Sequence, residues 1–113
     1  MSERFSPAWI DALDAAARGI PGTEERFVIQ QVVGDDAWHV VLGADGVRVL
    51  PGRAQDADVT FTQDRETAEA IAIGALSAAA ALTSGRLTVR GATARLTDHR
   101  EVLARLDDAL ADA

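Results

Sequence analysis

The sequence predicts an α+β fold, with a five-stranded, mostly antiparallel sheet and helices covering one face of it. Short stretches that alternate polar and apolar residues, bounded by glycine, proline or aspartate, predict the strands. One apolar stripe with helical spacing separates the fourth of these stretches from the fifth. The length of 113 residues suits a single core, so we expect residues 1–113 to form one domain.

The first half predicts a helix followed by a three-stranded meander. Ser6 is a suitable N-cap and Pro7 a suitable first helical residue. The run Gly19-Ile20-Pro21-Gly22 ends this helix. Close spacing and glycine-containing turns then favour antiparallel hairpins. The three predicted strands cover residues 27–33, 37–42 and 47–50.

Alternation within the strands predicts which side chains face the helices, because successive side chains of a strand point to opposite faces. The predicted inner-face residues are Trp38, Val40, Leu42, Val59, Phe61, Leu87 and Val89. About 20 residues separate the strand over 58–63 from the strand over 86–90, which is too long for a hairpin. We therefore expect these two strands to be parallel, or joined by a crossover.

The connecting segment is predicted to be helical. Asp64 is a suitable N-cap, and Gly85 is a natural C′ residue with a positive φ angle. Gly74 can break the helix and Ser77 can cap a second one, so one long helix and two short helices both remain open. The apolar stripe consists of Ala68, Ile71, Ala72, Ala75, Leu76, Ala79 and Leu82.

A final amphipathic helix is predicted from Asp98 onward. Asp98 is its expected cap and Glu101 occupies the third helical position, close to a capping box. Its apolar residues are Val102, Leu103, Leu106 and Leu110.

Composition and charge exclude several classes of function. Eighteen acidic and eleven basic residues give a net charge of −7, which argues against nucleic-acid partners and against adsorption to anionic lipid by charge alone. The absence of cysteine excludes disulfides, thiolate catalysis and cysteine-ligated metals. There is no signal-like N-terminal segment and no apolar run of about 18 residues, so we expect a cytoplasmic protein without stable membrane insertion.

No constellation of residues predicts catalysis or a metal site. His39 and His99 lie far apart in sequence and have no metal-ligand spacing. We interpret His39 as a solvent-facing or partly covered residue on the strand face opposite Trp38, and His99 as a polar surface residue. Arg86, Thr88 and Arg90 suit the polar face of an edge strand better than an anion site. We therefore expect no enzyme activity, no metal and no cofactor.

Four segments resemble a known family when they are taken together. They are Ala57–Thr62, Gly74–Ser77, Ala81–Gly85 and Arg86–Gly91, whose glycines keep the family's spacing without a gap. On these residues the chain resembles the sterol carrier protein 2 (SCP-2) lipid-binding domain family over roughly residues 24–110. Two positions depart from the family pattern, Ala92 after the last glycine and Leu82 in place of a bulky aromatic residue.

The resemblance implies an apolar cavity between the sheet and the helices, and binding of sterols, fatty acyl chains or other lipids. In this sequence such a cavity would be lined by one strand, the helical stripe and the last helix. The predicted ligand-binding residues are Phe61, Ile71, Ala75, Leu76, Ala79, Leu82, Leu103 and Leu106. The alternative is an accessory or dimerisation module with a collapsed cavity, which binds a protein partner or a second copy. A cavity of roughly several hundred Å³ discriminates between the two.

Overall fold

The computed structural model describes residues 4–112, including all side chains except those of residues 107 and 109–112. Five strands and four α-helices follow one another along the described residues in the order that the sequence predicts. The elements are α1 (Pro7–Ala17), β1 (Phe27–Val33), β2 (Asp36–Gly43), β3 (Gly46–Pro51), β4 (Val59–Gln63), α2 (Arg65–Ala72), α3 (Ala78–Thr83), β5 (Leu87–Gly91), a 3-10 helix (Thr93–His99) and α4 (Arg100–Asp112).

The sheet has the strand order β3-β2-β1-β4-β5. Strands β1 and β4 are parallel, and the other three pairs are antiparallel. The expectation of a parallel β4–β5 pair was therefore wrong. The connection contains two short helices rather than one, so the chain leaves the end of β4 and returns to the same end of the sheet before β5 begins. The parallel pair lies elsewhere because β4 returns beside β1 after the β2–β3 hairpin.

Local signals explain why the connection forms two helices. Asp64 caps α2 by accepting a hydrogen bond of 2.7 Å from the N–H of Thr67, and Ser77 caps α3 by accepting one of 3.0 Å from the N–H of Ala80. Between them Gly74 adopts a φ of 79°, in the left-handed region that glycine favours. The predicted positive φ of Gly85 is confirmed at 80°.

The start of the last helix differs from the prediction. Asp98 lies inside the 3-10 helix instead of capping α4, which begins at Arg100. The chain turns earlier because the end of β5 is bound to the segment before β4. The N–H of Ala92 donates to the Asp58 carbonyl at 2.8 Å, and the Arg95 guanidinium contacts the Asp58 carboxylate at 3.3 Å. The predicted apolar side chain at position 110 lies outside the described residues.

The inner face of the sheet follows the predicted register. Trp38, Val40, Leu42, Val59 and Leu87 are buried. The remaining two predicted inner-face residues, Phe61 and Val89, are partly buried and pack against the same core. The helices lie on this face. Residues 52–58 cross the opposite face, where the N–H of Ala54 donates to Gln30 Oε1 at 2.8 Å.

Asp14 joins α1 to the edge strand β3. It is buried, and its carboxylate accepts hydrogen bonds from the N–H of Val49 at 2.7 Å, from Arg48 Nε at 3.0 Å and from Arg18 Nη2 at 3.2 Å. Burial by itself would raise the pKa of Asp14, but the hydrogen bonds from Arg48, Val49 and Arg18 outweigh it, and the pKa lies below its ordinary value.

Candidate ligand cavity

A cavity of about 250 Å³ lies between the inner face of the sheet and the helices. All but two of its lining residues are apolar, and none carries a charge. The sheet contributes Ile29, Gln31, Val33, Trp38, Val40, Phe61, Gln63 and Leu87. The N-terminal segment and the helices contribute Phe5, Leu13, Ala68, Ile71, Ala78, Leu103 and Leu106. Such a lining suits an apolar molecule.

The structure brings together four of the eight predicted ligand-binding residues. These are Phe61, Ile71, Leu103 and Leu106, which all line the cavity. Their role in ligand binding remains a prediction.

The other four predicted residues lie outside the cavity lining. Ala75, Ala79 and Leu82 are exposed and Leu76 is half-buried. The apolar stripe ends at the turn around Gly74, and α3 packs against β5 through the fully buried Ala81. The spacing of a single continuous helix therefore does not describe how α3 meets the sheet.

Two glutamines that line the cavity were not predicted as site residues. The available signal was strand alternation. Gln31 has the same phase as Ile29 and Val33 in β1, and Gln63 has the same phase as Phe61 in β4. Both therefore had to point toward the helices.

The two glutamine side chains of the cavity lining are hydrogen-bonded to each other. Gln63 Nε2 donates to Gln31 Oε1 at 2.9 Å. Gln31 is the register partner of Trp38 on one side and of Phe61 on the other. The indole Nε1 of Trp38 is buried and has no hydrogen-bond partner among the described residues.

The interpretation of His99 as a surface residue was wrong. Its ring is buried and stacks on Phe27, with centroids 4.6 Å apart and an interplanar angle of 23°. The Arg95 guanidinium lies over the same Phe27 ring at 4.7 Å. The helical turn begins at Thr93, which is earlier than predicted, and places His99 against the sheet.

The fold explains the positions of His39 and of the polar residues of β5. His39 is half-buried on the face opposite Trp38, and its Nδ1 lies 2.8 Å from the Gly52 carbonyl oxygen. Strand β5 forms an edge of the sheet, where Thr88 and Arg90 are exposed. Within the described residues, no group of three or more histidine and acidic side chains could hold a metal ion.

A second concavity of about 410 Å³ lies beside the 3-10 helix, but its lining is mostly polar. It therefore suits an apolar ligand less well than the first cavity. None of the described helices combines the length and the apolar character needed to cross a membrane.

The fold defines a class of α+β protein in which helices cover one face of a sheet. A mostly apolar cavity lies between the sheet and these helices. The sequence model of the SCP-2 sterol transfer family matches residues 11–104 of this chain. The chain therefore belongs to the SCP-2 sterol transfer family, and the resemblance drawn from its glycine-spaced segments is confirmed. Membership of this family supports lipid binding or transfer.

Solved structures of similar fold agree with this assignment. A crystal structure of sterol carrier protein 2 has a TM-score of 0.72 at 22% identity, and the alignment covers 98% of this chain and 99% of that one. A conserved hypothetical protein from Thermus thermophilus has a TM-score of 0.68 at 22% identity, with 97% and 89% covered. A palmitated sterol carrier protein 2 like 2 from Aedes aegypti has a TM-score of 0.63 at 22% identity, with 89% of each chain covered. No curated protein matches the sequence significantly.

Proposed function

We propose that this protein binds or carries an apolar ligand, such as a sterol, a fatty acyl chain or a related lipid, without a catalytic step. The main support is the cavity, whose lining has no charged side chain and only two amides. Burial of about 200 Å² of ligand surface there would contribute roughly 5 kcal/mol before the costs of association. An apolar ligand therefore needs no ionic partner.

The mouth of the cavity offers a direct test with a matched control. Both Ala78 and Ala79 are exposed residues of α3, but only Ala78 lines the cavity, at its solvent-facing rim. We expect Ala78→Phe to weaken the binding of the fluorescent hydrocarbon diphenylhexatriene by about tenfold, because the ring occupies ligand volume. Ala79→Phe should bind the probe like the wild type.

Native mass spectrometry of protein purified from its own host would identify a natural ligand. We expect a co-purifying lipid that is lost from Ala78→Phe and retained by Ala79→Phe. Equal probe binding by both variants, or no probe binding by the wild type, would contradict a ligand site in this cavity.

An accessory or dimerisation module is the second candidate. One observation favours it: on the α2–α3 segment, Ile73 is 67% exposed and Leu82 is 50% exposed. Contiguous exposed apolar patches are typical of contact surfaces, and in this candidate the two side chains contribute to such a patch. If this candidate holds, the double variant Ile73→Ser and Leu82→Ser should have a lower mass of the assembly than the wild type in analytical ultracentrifugation. The wild type should then bind no diphenylhexatriene.

A further inference from the structure

The cavity contains one polar cluster in an otherwise apolar lining. It consists of the two amides of Gln31 and Gln63. Gln63 lies on β4 diagonally across from Gln31, and the 2.9 Å hydrogen bond between their amides closes the cluster.

The cluster does not use all of its hydrogen-bonding groups. A glutamine amide offers two N–H donors and one carbonyl acceptor. The single hydrogen bond between Gln31 and Gln63 leaves three amide donors and one carbonyl oxygen unused by other described residues, whichever way round the two amides are oriented. The free amide groups can form hydrogen bonds with a polar group of a ligand in place of water.

We propose that Gln31 and Gln63 form a head-group subsite that selects lipids with an uncharged polar group, above all a hydroxyl. This inference rests on the proposed function and adds the chemical class of the ligand. A hydroxyl oxygen accepts from a free amide N–H and donates its own proton to the free amide carbonyl. It therefore matches both kinds of unused group, whereas an ester or a ketone matches only the donors.

The same lining disfavours an ionised head group. No arginine or histidine lines the cavity, so a carboxylate buried there has amide donors but no counter-charge. Removing a carboxylate from water without a paired cation is costly. The apolar part of the ligand extends from the cluster toward Phe61, Ile71 and Leu106.

Three fluorescent probes with the same polyene chain test the subsite in the wild-type protein. They are cis-parinaryl alcohol, methyl cis-parinarate and cis-parinaric acid, and diphenylhexatriene serves as a probe without a polar group. At mildly alkaline pH, where the acid is ionised, we expect the alcohol to bind about tenfold more tightly than the acid, with the methyl ester between them. Acidification should strengthen binding of the acid as it becomes neutral and leave binding of the alcohol unchanged.

Variants then assign the preference to the cluster. Gln31→Leu combined with Gln63→Leu should remove the preference for the alcohol over the methyl ester and keep diphenylhexatriene binding. Gln55→Leu, in an exposed loop, is the matched control and should keep the preference. If the double variant does not fold, Gln63→Met replaces it, because methionine retains the length of the side chain. This single variant should reduce the preference for the alcohol by half or more.

Each result decides a different question. Tight binding of the ionised acid by the wild type, equal to that of the alcohol, overturns the subsite while the lipid-binding function stands. An undiminished preference for the alcohol in either glutamine variant also overturns it. Failure of all four probes, including diphenylhexatriene, overturns the proposed function and the subsite with it.

Discussion

Gly85 and Gly91 both have positive φ angles, 80° and 107°, but their surroundings differ. A Cβ added to Gly85 meets nothing within 4 Å, whereas a Cβ on Gly91 would collide with the backbone carbonyl of Asp58. The first site therefore requires glycine for its conformation alone. The second requires it also because β5 and the segment before β4 approach closely.

We expect Gly85→Ala to lower the free energy of unfolding by about 1 kcal/mol, the cost of a Cβ in the left-handed region. Gly91→Ala should cost clearly more, since the backbone around Asp58 must move as well. Urea unfolding followed by circular dichroism measures both losses. Equal losses would contradict the close approach at Gly91.

Asp14 makes a pH-dependent contribution to stability. Its pKa is lower in the folded protein than the ordinary value of 3.8, so the unfolded chain takes up a proton first as the pH falls. The stabilisation is therefore fully present above that ordinary value and is lost as the pH falls through the lowered folded pKa. At neutral pH we expect Asp14→Asn to cost about 1–3 kcal/mol, because the carboxylate bonds to Arg48 and Arg18 are weakened.

Thermal unfolding of the wild type and Asp14→Asn across acidic pH tests this linkage. The difference in stability between the two proteins should narrow as the pH drops below 3.8. A difference in stability that stays constant with pH would show that the charge of the Asp14 carboxylate does not contribute to stability. Asp11→Asn, on the same helix but exposed, is the control.

At the scale of elements, local signals in the sequence were sufficient for the N-caps of α1, α2 and α3, but not for the start of α4 or for the strand pairing. Asp64, Ser77 and Gly85 act through neighbours within a few residues, and all three behave as the sequence predicts. The direction of β5 depends instead on how far the chain reverses around Gly74. No residue pattern within β5 contains that information, and the positions of Ala75, Ala79 and Leu82 depend on the same reversal.

Helix α3 is only six residues long, so its cap should matter for its local stability. We expect Ser77→Ala to lower stability by about 1 kcal/mol, because the N–H of Ala80 loses its partner. Amide hydrogen exchange should accelerate in α3 and remain unchanged in β1, which serves as an internal reference. Uniform acceleration across the chain would show that α3 does not open separately from the rest.

At the scale of the whole molecule, the chain covers one face of its sheet with helices and crosses the other with a loop. Alternation alone predicted the inner face, including Trp38, Val40 and Phe61, because a strand's period of two leaves only two choices. Whether the covered face closes fully depends on how several helices meet. Gln31 and Gln63 line the cavity on this face, and strand phase identifies them only after the sheet is known to have one covered face.

The size of the cavity leads to a prediction about ligand length. The cavity has a limited volume of about 250 Å³. In a series of straight-chain alcohols, affinity should rise with each methylene, by up to about 0.8 kcal/mol, until the cavity is filled. Longer chains should add little, because their ends extend past Ala78 into water. Displacement of diphenylhexatriene measures the series, and a steady rise to twice the length that fills the cavity would show that α2, α3 or α4 moves away from the sheet to enlarge it.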